Sequence, residues 1–204
     1  MDYTKIKAPY IINNSIKDKA NKFREKYWDN NLPINIENII DVNLKIDIIP
    51  LLNLEKLCNA NALITSSWES LYIDKELFED ERRENRLRFS LAHEIGHFIL
   101  HKDFYSTLEI NSFERFYKFI NDVPNDQYRQ LETQANKFAG HFLVPRELLV
   151  VQLEKQLRIV KEKIDISQFD EQLLKAYLAN PLSKIFGISD ESMEIVLSEY
   201  DLSH

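Results

Sequence analysis

From Leu87 to Leu100 the chain is apolar nearly all the way round a helix, yet His93, Glu94 and His97 lie inside that run. Leu87, Leu91, Ile95 and Ile99 line one face, and Phe89, Ala92, Phe98 and Leu100 fill much of the rest. A helix with no polar face has to be buried. Burial makes an unpaired carboxylate expensive, so Glu94 and the two histidines need a common partner. Histidines four residues apart lie about 40° apart around a helix, and both rings can point at one ion. The glutamate between them projects from a neighbouring angle and can reach a water on the ion's open side. This is the H-E-x-x-H arrangement of a zinc hydrolase: His93 and His97 as ligands, Glu94 as general base.

Zinc in a catalytic site takes a third protein ligand and keeps a fourth position open. The next helical segment offers Glu132, which stands with Asn136 one turn apart at the edge of a core face marked by Leu131, Ala135, Phe138 and Phe142. Glu132 completes the set in this reading, and Asn136 accepts a hydrogen bond from a ligand histidine and orients it. Asp103, six residues after His97, has the spacing of a competing geometry. That geometry needs a glycine where Leu100 stands, so Glu132 is preferred. His141 lies about 180° around the helix from Glu132 and is expected to look away from the metal. His101 is assigned to the end of its helix, where an imidazole can satisfy a carbonyl.

Composition narrows the remaining classes. The 204 residues carry a formal net charge of −7, which does not draw the chain to phosphate backbones, so direct nucleic-acid binding is not expected. Three glycines, Gly96, Gly140 and Gly187, lie too far apart for a phosphate cradle. The single cysteine, Cys58, excludes an intrachain disulfide framework and fits a cytoplasmic protein. No spanning helix and no secretory signal are read.

Periodicity predicts a first helix over 14–28, a short helix capped by Asn35 and ending at Asp41, and strands at 44–49, 62–64 and 71–73. Helices follow from Glu81 to about His101, from Gln127 to Leu143 after a turn at Pro124-Asn125-Asp126, and from Pro145 to about Lys163. The tail is helical with breaks at Asn180-Pro181 and Gly187. Between 104 and 119 lie six aromatics; Phe113, Phe116, Tyr117 and Ile120 share one helical face and are assigned chiefly to packing.

The stretch Arg88-Phe89-Ser90-Leu91-Ala92-His93-Glu94-Ile95-Gly96-His97-Phe98-Ile99-Leu100-His101 resembles the signature of the ImmA/IrrE family of bacterial metallo-endopeptidases. So do Glu132-Thr133-Gln134-Ala135-Asn136-Lys137-Phe138-Ala139, the following Leu143-Val144-Pro145, and the lead-in Leu32-Pro33-Ile34-Asn35-Ile36-Glu37. The resemblance covers about residues 30–150. It implies an α+β, gluzincin-like (zincin) peptidase domain, a small β-sheet packed on the active-site helices, over residues 1–165, and a small helical region over 166–204. It carries zinc onto His93, His97 and Glu132, and the base onto Glu94. The implied substrate is a helix-turn-helix repressor controlling a mobile element or stress response. Tyr72, Tyr105, His101 and Arg146 are the candidate donors to the oxyanion.

The segment from Leu182 to Leu197 has the rhythm of a helix-turn-helix. It motivates an alternative, a metal-bearing regulator that binds a repressor or DNA without cutting. The second helix of the pair, however, contains Glu191, Glu194 and Glu199 and no Lys or Arg, whereas a recognition helix needs basic or amide groups.

Overall fold

The computed structural model describes residues 2–110, 112–163 and 170–198. Helix α1 (Asn13–Tyr27) buries Ile16, Ala20 and Phe23. The short α2 (Ile36–Asn38) starts where the Asn35 side chain accepts from the Asn38 amide at 2.9 Å, and continues into a wide π-helical turn over Ile39–Leu44. Lys45, at φ 55°, closes that turn in the left-handed region. The strand expected at 44–49 therefore begins later, as β1 (Asp47–Leu51). Its alternation was real, but the carbonyl of Ile40 captures the Lys45 amide and keeps Leu44 helical.

After α3 (Leu54–Cys58) come β2 (Ala62–Ile64) and β3 (Ser70–Asp74). The sheet order is β1-β3-β2. β1 runs parallel to β3 in register Asp47↔Ser70, and β2 runs antiparallel to β3 in register Leu63↔Tyr72. β2 is thus an edge strand, and all three of its residues are buried because the helix Glu84–Ser106 lies beside it. The Asp74 carboxylate ends β3 and caps α4 (Lys75–Glu79) by accepting from the Glu76 and Leu77 amides.

Helix α5 (Glu84–Ser106) is longer than its sequence signals indicate. It passes His101 without ending, because Tyr105 (4% exposed) carries the buried face one turn further. Helix α6 (Phe113–Asp122) starts at Ser112, whose hydroxyl accepts from the Arg115 amide. Its face differs from the expected one: Phe116 and Phe119 are buried, Ile120 is partly buried, and Tyr117 is exposed. Phe119 packs edge-on to Tyr3 at 5.5 Å, so this segment serves the core first. Helix α7 (Asn125–Leu143) begins directly after Pro124, inside the expected turn. Proline there has no amide to leave unpaired, so nothing delays the first helical turn.

Helices α5 and α7 form the centre of the molecule. Leu91, Ala92, Ile95, Leu131, Ala135 and Phe138 are fully buried. Burial of each large aliphatic side chain among them is worth about 1.5–3 kcal/mol. The helices come into backbone contact range at Gly96, where a Cβ would stand 3.0 Å from the Ala135 carbonyl oxygen and 3.1 Å from its Cα. Backbone cannot yield as a side chain does. Gly96→Val is expected to destabilise the protein by about 1–3 kcal/mol in urea unfolding. It is also expected to weaken metal uptake, since Glu132 is positioned across this contact. A variant as stable as wild type would show that the two helices can separate freely.

Helix α8 (Arg146–Lys163) leads to α9 (Glu171–Phe186) and α10 (Asp190–Ser198). The expected boundary at 165/166 falls outside the described residues. The expected break at Asn180-Pro181 is absent: α9 runs through Pro181. An interior proline costs about 3 kcal/mol, which is offset here by burial of Leu178, Ala179 and Leu182 on both sides of it. The break at Gly187 is real, with φ 65°. A Cβ there would stand 2.7 Å from Pro33 and 2.4 Å from Arg88, whose buried guanidinium donates to the Gly187 carbonyl at 2.7 Å. The architecture is α+β, mostly helical with one three-stranded sheet, as the sequence implied. Among the described residues no helix is long and apolar enough to cross a membrane.

Candidate metal centre

His93 and His97 project from one face of α5 toward Glu132 on α7. Glu132 places Oε2 at 3.1 Å from His93 Nε2 and Oε1 at 3.4 Å from His97 Nε2. The two imidazole Nε2 atoms are 3.0 Å apart. One ligand atom from each of the three residues lies within 4.8 Å of the others. The edges of a tetrahedron around an ion with bonds of ~2.0–2.1 Å are about 3.3–3.4 Å, close to these separations. Two neutral ring nitrogens also cannot face each other at this distance with lone pairs alone. A proton or a cation has to stand between them, and the donor set fits a divalent ion.

The tautomers agree with ligation. His93 Nδ1 lies 2.8 Å from Asn136 Oδ1, so its N–H donates to the amide oxygen and Nε2 keeps its lone pair. Asn136 stands one turn beyond Glu132, and the structure brings both to the histidines. Asp103 is exposed on the last turns of α5, away from the cluster, and His141 meets Asn13 at 3.2 Å on another surface.

Glu94 is 7% exposed, beside the cluster, and its Oε2 accepts from the Ile64 amide at 2.8 Å. Edge strand β2 thus fixes the carboxylate, an interaction between main chain and side chain that no residue pattern announces. Burial raises the Glu94 carboxyl above its ordinary value, although His97 and His93 pull it down. The cavity in front of these groups, about 240 Å³, is lined by Asn61, Ile64, Phe89, Phe116, Tyr105 and Tyr128, among others. Of the four expected oxyanion donors only Tyr105 lines it. Tyr72, His101 and Arg146 do not. Tyr128 was not foreseen, yet it stands one turn before Glu132 on the same helix, a spacing that could have revealed it. Burial and the Glu132 carboxylate hold its hydroxyl neutral far above the ordinary range.

Without a metal the three candidate ligands satisfy each other. Burial alone would depress His93, but the hydrogen bond and charge of Glu132 override it and push its pKa up to about 9. Burial would raise Glu132, but its hydrogen bond with His93 and its contact with His97 hold it well below the usual carboxylate range. Below pH 9 an incoming ion therefore displaces a proton from His93. Apparent metal affinity is expected to rise about tenfold per pH unit toward pH 9 and then to level off. Isothermal titration across pH 6–10 checks this. Affinity independent of pH would show that His93 carries no proton in the metal-free protein.

Comparison with known proteins follows the same line. A solved structure of a Mycobacterium tuberculosis transcriptional regulator superposes on this chain with a TM-score of 0.56 at 14% sequence identity. The match covers 95% of this chain and 49% of that one, so this chain spans about half its length, and the likeness concerns the fold. Comparison with curated proteins by sequence returns no match. Residues 68–198, more than half of the chain and spanning both motif-bearing helices, match the IrrE N-terminal-like domain, and the protein belongs to that family of ImmA/IrrE metallopeptidases.

Proposed function

We propose that the protein is a zinc endopeptidase in which His93, His97 and Glu132 hold the metal and Glu94 moves the proton. The observation that carries this reading is the buried Glu94 carboxylate, hydrogen-bonded to edge strand β2 beside a three-donor cluster. The ion, when bound, supplies Lewis-acid chemistry by making a water more acidic and polarising a carbonyl oxygen. Glu94 keeps Oε2 on the Ile64 amide and uses its free oxygen to take the proton of the attacking water. It then delivers that proton to the leaving amine. The raised carboxyl pKa suits this double role, because a protonated Glu94 is tolerated in its buried site. Tyr128 and Tyr105 supply neutral hydroxyls at the cavity wall, and Tyr128, partly exposed, is the better placed donor to a developing oxyanion. Edge strand β2 borders the same cavity and can pair with an extended peptide backbone.

The substrate we propose is a helix-turn-helix repressor, with regulation of transcription as the outcome. The family supports this, as does the fold shared with a protein described as a transcriptional regulator. Direct DNA binding is disfavoured. Helices α9 and α10 do form a packed pair around Gly187, but α10 exposes Glu191 and Glu194 and has no basic residue between Asp190 and Ser198. The test is to incubate the zinc-loaded protein with the small helix-turn-helix repressor encoded nearest its gene and to read fragments by mass spectrometry. Fragments that require both zinc and Glu94 are expected. An intact repressor, bound equally by wild type and Glu94→Gln, would instead establish a sequestering module.

A further inference from the structure

His101 is a buried imidazole that the proposed chemistry does not use. It is 1% exposed, and its Nδ1 lies 3.1 Å from His97 Nδ1. Its Nε2 is buried with no hydrogen-bond partner, and so is Oε1 of Gln134. Gln134, on α7 and 4% exposed, is the side chain set against the His101 ring. Its other end donates: Gln134 Nε2 lies 2.9 Å from the Pro9 carbonyl oxygen.

That carbonyl fixes the direction of the whole chain. A main-chain oxygen only accepts, so the Gln134 amide nitrogen faces Pro9, and its oxygen is the end left for the His101 ring. An oxygen there calls for a hydrogen on His101 Nε2, which leaves the lone pair on Nδ1. Nδ1 then accepts from His97 Nδ1–H, and His97 Nε2 faces His93 and Glu132 without a proton. The opposite order would set the Gln134 oxygen against a second lone pair in a dry interior, at a cost of about 1–3 kcal/mol. Two further glutamines on α7 hold the same N-terminal segment. Gln127 Oε1 accepts from the Ala8 amide at 2.8 Å, and Gln130 Nε2 donates to the Ala8 carbonyl at 3.0 Å.

We propose that His101 and Gln134 are positioning residues that hold His97 in its metal-binding tautomer and tie the metal centre to the N-terminal segment at Pro9. This rests on the reading of His97 as a metal ligand. The test uses the full chain and does not depend on peptidase activity. Zinc dissociation constants are measured by chelator competition for wild type, His101→Leu, His101→Asn and Gln134→Met, and histidine ring nitrogens are followed by 15N NMR. In His101→Asn the amide oxygen stands where Nδ1 stood and still accepts from His97. His101→Leu is expected to weaken zinc binding about 10–100-fold, and His101→Asn is expected to recover most of that loss. Gln134→Met is expected to shift affinity in the same direction as His101→Leu, and the His97 spectrum to lose its single Nδ1–H form.

Wild-type affinity in His101→Leu would overturn the inference. So would His101→Asn binding as weakly as the leucine variant, since the effect would then be one of packing alone. If the leucine variant does not fold, unchanged affinity and an unchanged His97 spectrum in Gln134→Met overturn it instead. A wild type that takes up no zinc overturns the metal reading itself, and with it this inference. That failure appears in the first titration, before any variant is compared.

Discussion

Glu94→Gln is expected to slow peptide cleavage by about 10²–10⁴-fold while leaving a full complement of zinc. Glutamine has the volume of glutamate, and its side-chain oxygen can still accept from the Ile64 amide, which Glu94 does at 2.8 Å. The cavity and the three ligands therefore stay in place, and only the capacity to take a proton is lost. Turnover of a cleaved substrate at saturating zinc, beside elemental analysis of the same sample, separates the two quantities. Near wild-type turnover with full zinc would remove Glu94 from the reaction. Lost turnover together with lost zinc would mean that the carboxylate acts by holding the site together.

Glu132→Ala is expected to weaken zinc by more than the ~10–100-fold that loss of an outer partner costs, because it removes one of three direct donors. The same variant makes a second prediction on the metal-free protein. His93 is raised from 6.5 to about 9 by Glu132, which outweighs the burial that would lower it. A base whose folded pKa lies above its unfolded value adds stability that is fully present below pH 6.5 and is lost as pH rises through 9. Thermal unfolding of metal-free wild type and Glu132→Ala is therefore expected to differ clearly at pH 6 and to converge by pH 10. Equal melting temperatures at pH 6 would show that Glu132 does not pair with a protonated His93. Zinc uptake indifferent to Glu132 would move the third ligand elsewhere.

The helices around the site were legible because their signals are local. His93 and His97 are four residues apart, Glu132 and Asn136 are four residues apart, and each pair shares a face whatever the rest of the chain does. The Asn35 cap and the Gly187 stop belong to the same class, since a side chain or a left-handed residue acts within its own turn. The misplaced elements fail for non-local reasons. Leu44 alternates like a strand but is held in a π-turn, Pro181 reads as a break but is carried by buried neighbours on both sides, and α5 outruns His101 because Tyr105 packs into the core.

His101 shows where reading along the chain stops. In the sequence it is one turn beyond His97 and near an expected helix end, which makes a carbonyl partner reasonable. In the structure that end lies further on, and the ring meets His97 on one side and sits against Gln134, which is held by Pro9, 125 residues away from it in sequence. The sequence by itself determined which side chains a metal could use, because ligand type and helical spacing are properties of neighbours along the chain. Only the tertiary structure decided that α7 approaches α5 at Gly96 closely enough to bring Glu132 within 3.1 Å of His93, and that edge strand β2 hands Glu94 an amide. Those contacts depend on where backbones cross, and a crossing is set by the packing of the whole core.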